Sequence, residues 1–213
     1  MSQAFAPTMT PVKSEQAVGG KVVLRIPPAW QFTDDEFFDL CQANRELRLE
    51  RAATGEITIM SPTGGATGNR SGEVTRQVGN WTVNDDTGAF FDSSTGFKLP
   101  NQADRSPDAA WVHLERLAQL TAEQKGKFLP LCPDFAAELM SPSDTLEEAQ
   151  AKMAEYLANG AKLGWLLDPK TRTVYVYRPG IPVEKLENVM EISGDPELPG
   201  FVLQLARVWE PRI

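Results

Sequence analysis

Two carboxylates stand out for their settings. Asp108, in SPDAAWV (residues 106–112), opens one short apolar run, and Glu138, in AAELMSPSD (residues 136–144), lies near the end of another. Short apolar runs edged by Pro and Ser read as buried strands. If those strands are neighbours, the two carboxylates meet at one point. Two such groups repel each other and are costly to bury without a counter-charge. A hard divalent cation resolves that conflict, because magnesium takes oxygen ligands, keeps several waters and needs only one or two protein carboxylates. An ion so held acidifies a water and offsets the charge of a phosphorane-like centre. The plainer readings are that Asp108, following Pro107, is a turn or cap residue, and that Glu138 lies on an exposed face.

Other chemistries find less support. His113 is the single histidine, which argues against histidine-built metal sites and Ser-His-Asp catalysis. Ser141, Ser143 and Asp144 resemble nucleophile machinery, but Pro142 interrupts them and no histidine is near in sequence, so they read as a helix cap. Trp165 and Tyr156 are candidates for stacking on bases, with core packing the simpler role for Trp165 in its apolar run. The two cysteines, Cys41 and Cys132, are too few for a disulfide framework or a structural zinc site, which fits a reduced cytoplasmic setting. The formal net charge of −8 sits awkwardly with phosphate binding. Either the basic residues gather in space or the substrate is not long duplex nucleic acid.

The elements that must position these groups follow from local pattern. Residues 1–20 read as a flexible arm and residues 21–213 as one domain, a size able to bury a core. Their start, MSQAFAPTMTPVKSEQ, does not read as a secretory signal, and the chain has no apolar run long enough for a membrane helix. Val22–Ile26 reads as a strand closed by Pro27 and Pro28. Thr33 and Glu36 form a capping-box pattern for a helix ending near Asn44. Glu46–Arg51 and Glu56–Met60 suggest a hairpin, followed by the loop SPTGGATG and a helix over Asn69–Asn84. The glycines leading into that helix leave free amides, a possible anion site in principle, although such lead-ins are common turns. Phe90–Leu99 reads as a strand pair turned near Ser93–Gly96, and Leu114–Leu120 as a short helix. Ser143 or Asp144 is the expected cap of a helix over Leu146–Ala158. Strands over Leu163–Leu167 and Thr173–Tyr177 follow, and the tail Pro196–Trp209 holds one more strand or short helix. The sum is an α/β (α+β) fold, a mixed sheet with helices on its faces.

Several stretches, in order and spacing, resemble the Uma-two family, which is abundant in cyanobacteria and belongs to the PD-(D/E)XK nuclease superfamily. They are RLERAATGEITIMSPTGGATGNR (48–70), STGFKLP (94–100), SPDAAWV, FAAELMSPSD (135–144), KMAEYLANGAKLGWLLDP (152–169) and VYVYRPG (174–180). The resemblance implies a restriction-endonuclease-like fold. It also implies Mg²⁺- or Mn²⁺-dependent hydrolysis of DNA phosphodiesters, with Asp108 and Glu138 as metal ligands. The superfamily lysine lies two residues after the Glu, where this chain has Met140. The resemblance places it instead on the next helix, at Lys152. The bland role for Lys152 is an ion pair with Glu148 or Glu155 on the same helix face. Glu50 matches an acidic position of the family and is a further metal-ligand candidate, or a cross-strand partner of Arg48 or Arg51. Many members carry a histidine after the SPTG-like turn, where this chain has Thr67 and Gly68. Fold analogy suggests a homodimer, since double-strand cleavage by one-site nucleases commonly takes two subunits. Met140, the missing loop histidine and the acidic charge favour an alternative, a non-catalytic module of the same fold acting through oligomerisation or partner binding.

Overall fold

The computed structural model describes residues 21–213, so the expected N-terminal arm lies outside the described residues. Strand β1 (Lys21–Leu24) leads to α1 (Asp34–Ala43), which starts at the capping box read from the sequence. Thr33 Oγ1 accepts the Glu36 N–H at 3.2 Å, and the Glu36 carboxylate accepts the Thr33 N–H at 2.8 Å. The expected hairpin is present as β2 (Arg48–Arg51) and β3 (Ile57–Met60), with Gly55 at φ 89° in its turn.

Helix α2 (Gly65–Asp85) begins four residues before the Asn69 expected from apolar spacing. The first turn of a helix needs no apolar side chain. Gly64 is extended at the cap, and the Gly68 N–H already bonds Gly64 C=O at 3.0 Å. The expected strand pair over Phe90–Leu99 is absent. Strand β4 (Gly88–Asp92) pairs with β7 (Ala109–His113), whereas β5 (Phe97–Lys98) pairs with β6 (Asp104–Arg105) in another sheet. Two short helices, α3 (Leu114–Ala118) and α4 (Ala122–Lys125), lead to β8 (Phe135–Leu139). Helix α5 (Leu146–Ala158) spans the expected range, but its cap is Thr145, whose hydroxyl accepts the Glu148 N–H at 3.3 Å. Asp144 is otherwise engaged, accepting the Ser141 N–H at 2.7 Å.

Strands β9 (Leu163–Asp168) and β10 (Thr173–Arg178) follow as an antiparallel pair. Then come β11 (Ile181–Glu187), β12 (Glu191–Ser193), β13 (Val202–Gln204) and α6 (Ala206–Trp209), so the tail holds both a strand and a helix. The expected mixed sheet is six-stranded, ordered β11-β10-β9-β8-β7-β4, with β8 and β9 parallel and the other pairs antiparallel. A parallel pair needs a crossover, and α5 supplies it. A separate five-stranded sheet, β1-β3-β2-β6-β5, carries the hairpin.

Alternation along the six-stranded sheet divides the core. One set, Ala109, Trp111, Phe135, Ala137, Leu163, Trp165 and Leu167, packs on Val74 and Val78 of α2 and on the C-terminal segment. The other set, Ala110, Val112, Ala136 and Leu166, packs on Met153 and Tyr156 of α5. Successive side chains point to opposite faces of a strand, so even-numbered residues of β7 and β8 look toward α5.

Candidate active site

That alternation brings the two carboxylates together. In the antiparallel β7–β8 pair, Ala109 faces Ala137 and Ala110 faces Ala136. One step beyond this ladder, the same register sets Asp108 opposite Glu138. Directly opposed residues carry Cβ atoms about 5 Å apart on one face of the sheet. Asp108 is fixed further by its Oδ2, which accepts the Leu139 N–H at 2.8 Å. Thr75 of α2 donates to the Asp108 carbonyl at 3.2 Å.

Lys152 reaches the same place from α5. Its Nζ lies 2.8 Å from Glu138 Oε1 and 2.9 Å from Glu50 Oε1. The same-helix ion pairs expected of a surface lysine do not form. Glu155 instead binds Arg105 Nε at 2.5 Å, and Glu148 lies 4.0 Å from Lys21. Tyr156, one turn on from Lys152, donates its hydroxyl to Glu138 Oε1 at 2.9 Å. Tyr156 and Trp165 are both fully buried, so neither is a stacking platform for bases.

Glu50 enters from the five-stranded sheet. It is buried, accepts the Ser106 N–H at 3.0 Å, and lies 3.9 Å from Arg48 and 3.7 Å from Arg105. Arg48 in turn lies 3.3 Å from Asp108 Oδ1 and donates to the Ser106 carbonyl. Of the two arginines proposed as Glu50 partners, only Arg48 shares its face of β2. Arg51 points the other way, to Asp104 at 2.7 Å, Asp34 at 2.5 Å and the Phe37 ring. Arg105 and Tyr156 are the site residues that sequence reasoning missed. Arg105 lies on a two-residue strand with no apolar pattern to reveal it, and Tyr156 was weighed only for stacking.

The electrostatics follow from this crowding. Burial raises the Glu138 carboxyl above its ordinary range, and the negative charges of Asp108 and Glu50 add to that, against Lys152 and Arg48. Burial would also raise Glu50, but Lys152, Arg105 and Arg48 outweigh it and hold the group below its ordinary range. Burial alone would depress Lys152, yet Glu138 and Glu50 keep it above its ordinary value, as an ammonium. Among the described residues no group of three or more His, Cys, Asp or Glu side chains is arranged to hold a metal ion. The physical reason is that the carboxylates turn toward Arg48, Arg105 and Lys152. The donor chemistry nonetheless suits a hard divalent cation, because Asp108 and Glu138 offer oxygen donors on opposed positions of one sheet face and such an ion needs only one or two protein carboxylates.

The cluster lines a cavity of about 3090 Å³ between the two larger sheets. The loop Ser61–Gly64, the first turn of α2, Met140 and Arg70 also line it. Basic side chains such as Arg45, Arg48, Arg70, Arg105 and Lys152 line this cleft together with at least as many acidic ones, several of them in pairs, so its walls are mixed in charge.

Comparison with known proteins agrees with this architecture. Residues 34–206 match the sequence model of the family Uma2, described as "Putative restriction endonuclease". No curated protein matches the chain. Among solved structures, one from Anabaena variabilis, described as a "putative nuclease belonging to DUF820", superposes with a TM-score of 0.69. It is 20% identical, over 84% of this chain and 97% of that one. At that identity the likeness concerns the fold.

Proposed function

The chain belongs to the Uma2 family, and from that premise we propose that it is a divalent-cation-dependent endonuclease that hydrolyses phosphodiester bonds in DNA. The observation that carries the reading is the meeting of Glu50 on β2, Glu138 on β8, Asp108 just before β7 and Lys152 on α5 in one cleft. Asp108 and Glu138 would hold Mg²⁺ or Mn²⁺, with Glu50 as a further ligand. The ion supplies an acidified water and positive charge beside the phosphate. Lys152 carries a permanent positive charge into the cleft, where it orients a water and offsets charge growing on the phosphoryl oxygens. As an ammonium it is not the proton acceptor. Tyr156 and the Leu139 N–H hold the two carboxylates in place, and burial beneath the cleft floor strengthens each of these contacts. The walls are mixed in charge, and their basic members, Arg45 and Arg70 among them, are the groups that would meet a polynucleotide backbone.

The test is incubation of plasmid DNA with Mg²⁺ or Mn²⁺ and the wild type or the Asp108→Ala/Glu138→Ala protein. Metal binding is followed in parallel by isothermal titration. Nicking and metal binding by the wild type, both lost in the double variant, are expected. Lys152→Ala should retain metal binding while nicking falls about 10²–10³-fold, the usual cost of removing one charge-stabilising donor. Folded wild type that neither binds metal nor nicks DNA would shift the reading to a non-catalytic module. That second reading draws on the pairing of Glu50, Asp108 and Glu138 with basic side chains and on the net charge of −8.

A further inference from the structure

We infer that Arg48 is the counter-ion a divalent cation displaces from Asp108, so that Arg48 sets how tightly the site takes its metal. This rests on the metal-dependent reading above. Four carboxylates, Glu50, Asp108, Glu138 and Glu155, share three cations, Arg48, Arg105 and Lys152. The cluster is therefore within one charge of balance by its own side chains. A divalent ion approaching it meets positive as well as negative charge, and its net attraction stays small until one cation withdraws.

The three cations are not held alike. Lys152 lies within 2.9 Å of one carboxylate and 2.8 Å of another. Arg105 is tied to Glu155 at 2.5 Å. Arg48 makes the longer carboxylate contacts, 3.3 Å to Asp108 and 3.9 Å to Glu50; its Nη2 also donates to the Ser106 carbonyl, and its Nε is buried with no hydrogen-bond partner. Its side chain retains 31% exposure toward the cleft, so it has room to move. Arg48 is thus the cation that the site's carboxylates hold least closely, and it can leave Asp108 while its Nη2 stays on the Ser106 carbonyl.

The contested atom is also identifiable. Asp108 Oδ2 is engaged by the Leu139 N–H, which leaves Oδ1 as the oxygen freer to bind a metal. Oδ1 is the atom Arg48 touches. The competition is for one oxygen, and charge rather than volume at position 48 decides it.

The experiment is isothermal titration of Mn²⁺ alone into the full-length wild type and the Arg48→Met, Arg48→Gln and Arg48→Lys proteins. Melting curves of each are taken with and without Mn²⁺. The Met and Gln variants should bind Mn²⁺ about tenfold more tightly than the wild type, equivalent to ~1.4 kcal/mol. The Lys variant keeps the charge and should stay within about threefold of the wild type. The neutral variants should melt lower without metal and show the larger upward shift with it. A purely structural role for Arg48 moves metal affinity the other way. Should Arg48→Met fail to fold, Arg48→Gln carries the same comparison. Wild-type binding that the neutral variants match or fall below overturns this inference and leaves the metal-dependent reading intact. Absence of Mn²⁺ binding in all four proteins overturns both.

Discussion

At the scale of single residues, the site is a set of charges each defined by its neighbours. Tyr156→Phe keeps the ring in the core and removes only the hydroxyl that Glu138 accepts. A hydrogen bond to a charged group contributes about 1.5–3 kcal/mol, so urea unfolding of this variant should show a loss in that range. Asp108, Glu138, Glu50 and Lys152 were all legible as candidates in the sequence, the last two through resemblance. The sequence left open which partners they have, because partners come from strand register and side-chain face. Arg48 and Arg51 look interchangeable as text, yet period-two alternation sends one to the site and the other to Asp104 on the opposite face. Burial pushes the Cys132 thiol up to about 12, with the negative charges of Asp134 and Glu155 adding to the effect against the Ala161 backbone and Arg116. Cys132 should therefore resist iodoacetamide in the native protein at pH 8 and react only on unfolding, as mass spectrometry would read directly.

At the scale of elements, close packing decides where strands go. A Cβ at Gly88 would sit 2.1 Å from the Trp111 indole, a rigid, buried ring on the neighbouring strand β7. Gly88→Ala should cost about 3 kcal/mol in thermal or denaturant unfolding, at the upper end of overpacking effects. Strand β4 pairs with β7 over this close approach, whereas β5, beyond the Ser93–Gly96 bend, pairs with β6 in the other sheet. Longer elements were readable, the helices α2 and α5 from their period and the strands β9 and β10 from their apolar and aromatic runs on either side of a turn sequence. The two-residue strands β5 and β6, and the exposed β11, have no period to read, and only their partners define them. Helix α5 depends on its cap, and Thr145→Ala should lower stability by about 1 kcal/mol. Ahead of it, Asp144 is pulled below its ordinary value. Burial opposes this, but Lys21 and the Ser141 N–H win. A carboxyl depressed in the fold contributes stability above its unfolded value of 3.8, and that contribution is lost as pH falls through the folded value. Asp144→Asn should therefore lower stability at neutral pH and flatten the acid limb of the pH–stability curve below about pH 4, where the two proteins converge.

At the scale of the whole molecule, stability is distributed unevenly around the cleft. Strands β8, β9 and β10 are buried almost throughout and have partners on both sides. Strand β1 pairs only with β3 and leaves Val22, Val23 and Leu24 exposed. Local opening costs least where few buried contacts are lost. Amide hydrogen exchange should accordingly be slowest in β8–β10 and fastest in β1. The wall of the cleft nearest Glu50 would then be the more mobile of the two. No helix among the described residues is long and apolar enough to cross a membrane.

The parallel β8–β9 pair and its crossover helix both border the cleft. Met140 follows Glu138 by two positions, and its N–H continues the ladder to Leu167 at 2.9 Å, so it lines the same cleft that Lys152 enters from α5. On the role proposed for Lys152, strand and helix are two routes by which a lysine reaches the same carboxylate, and with an apolar residue at 140 this chain uses the route through α5.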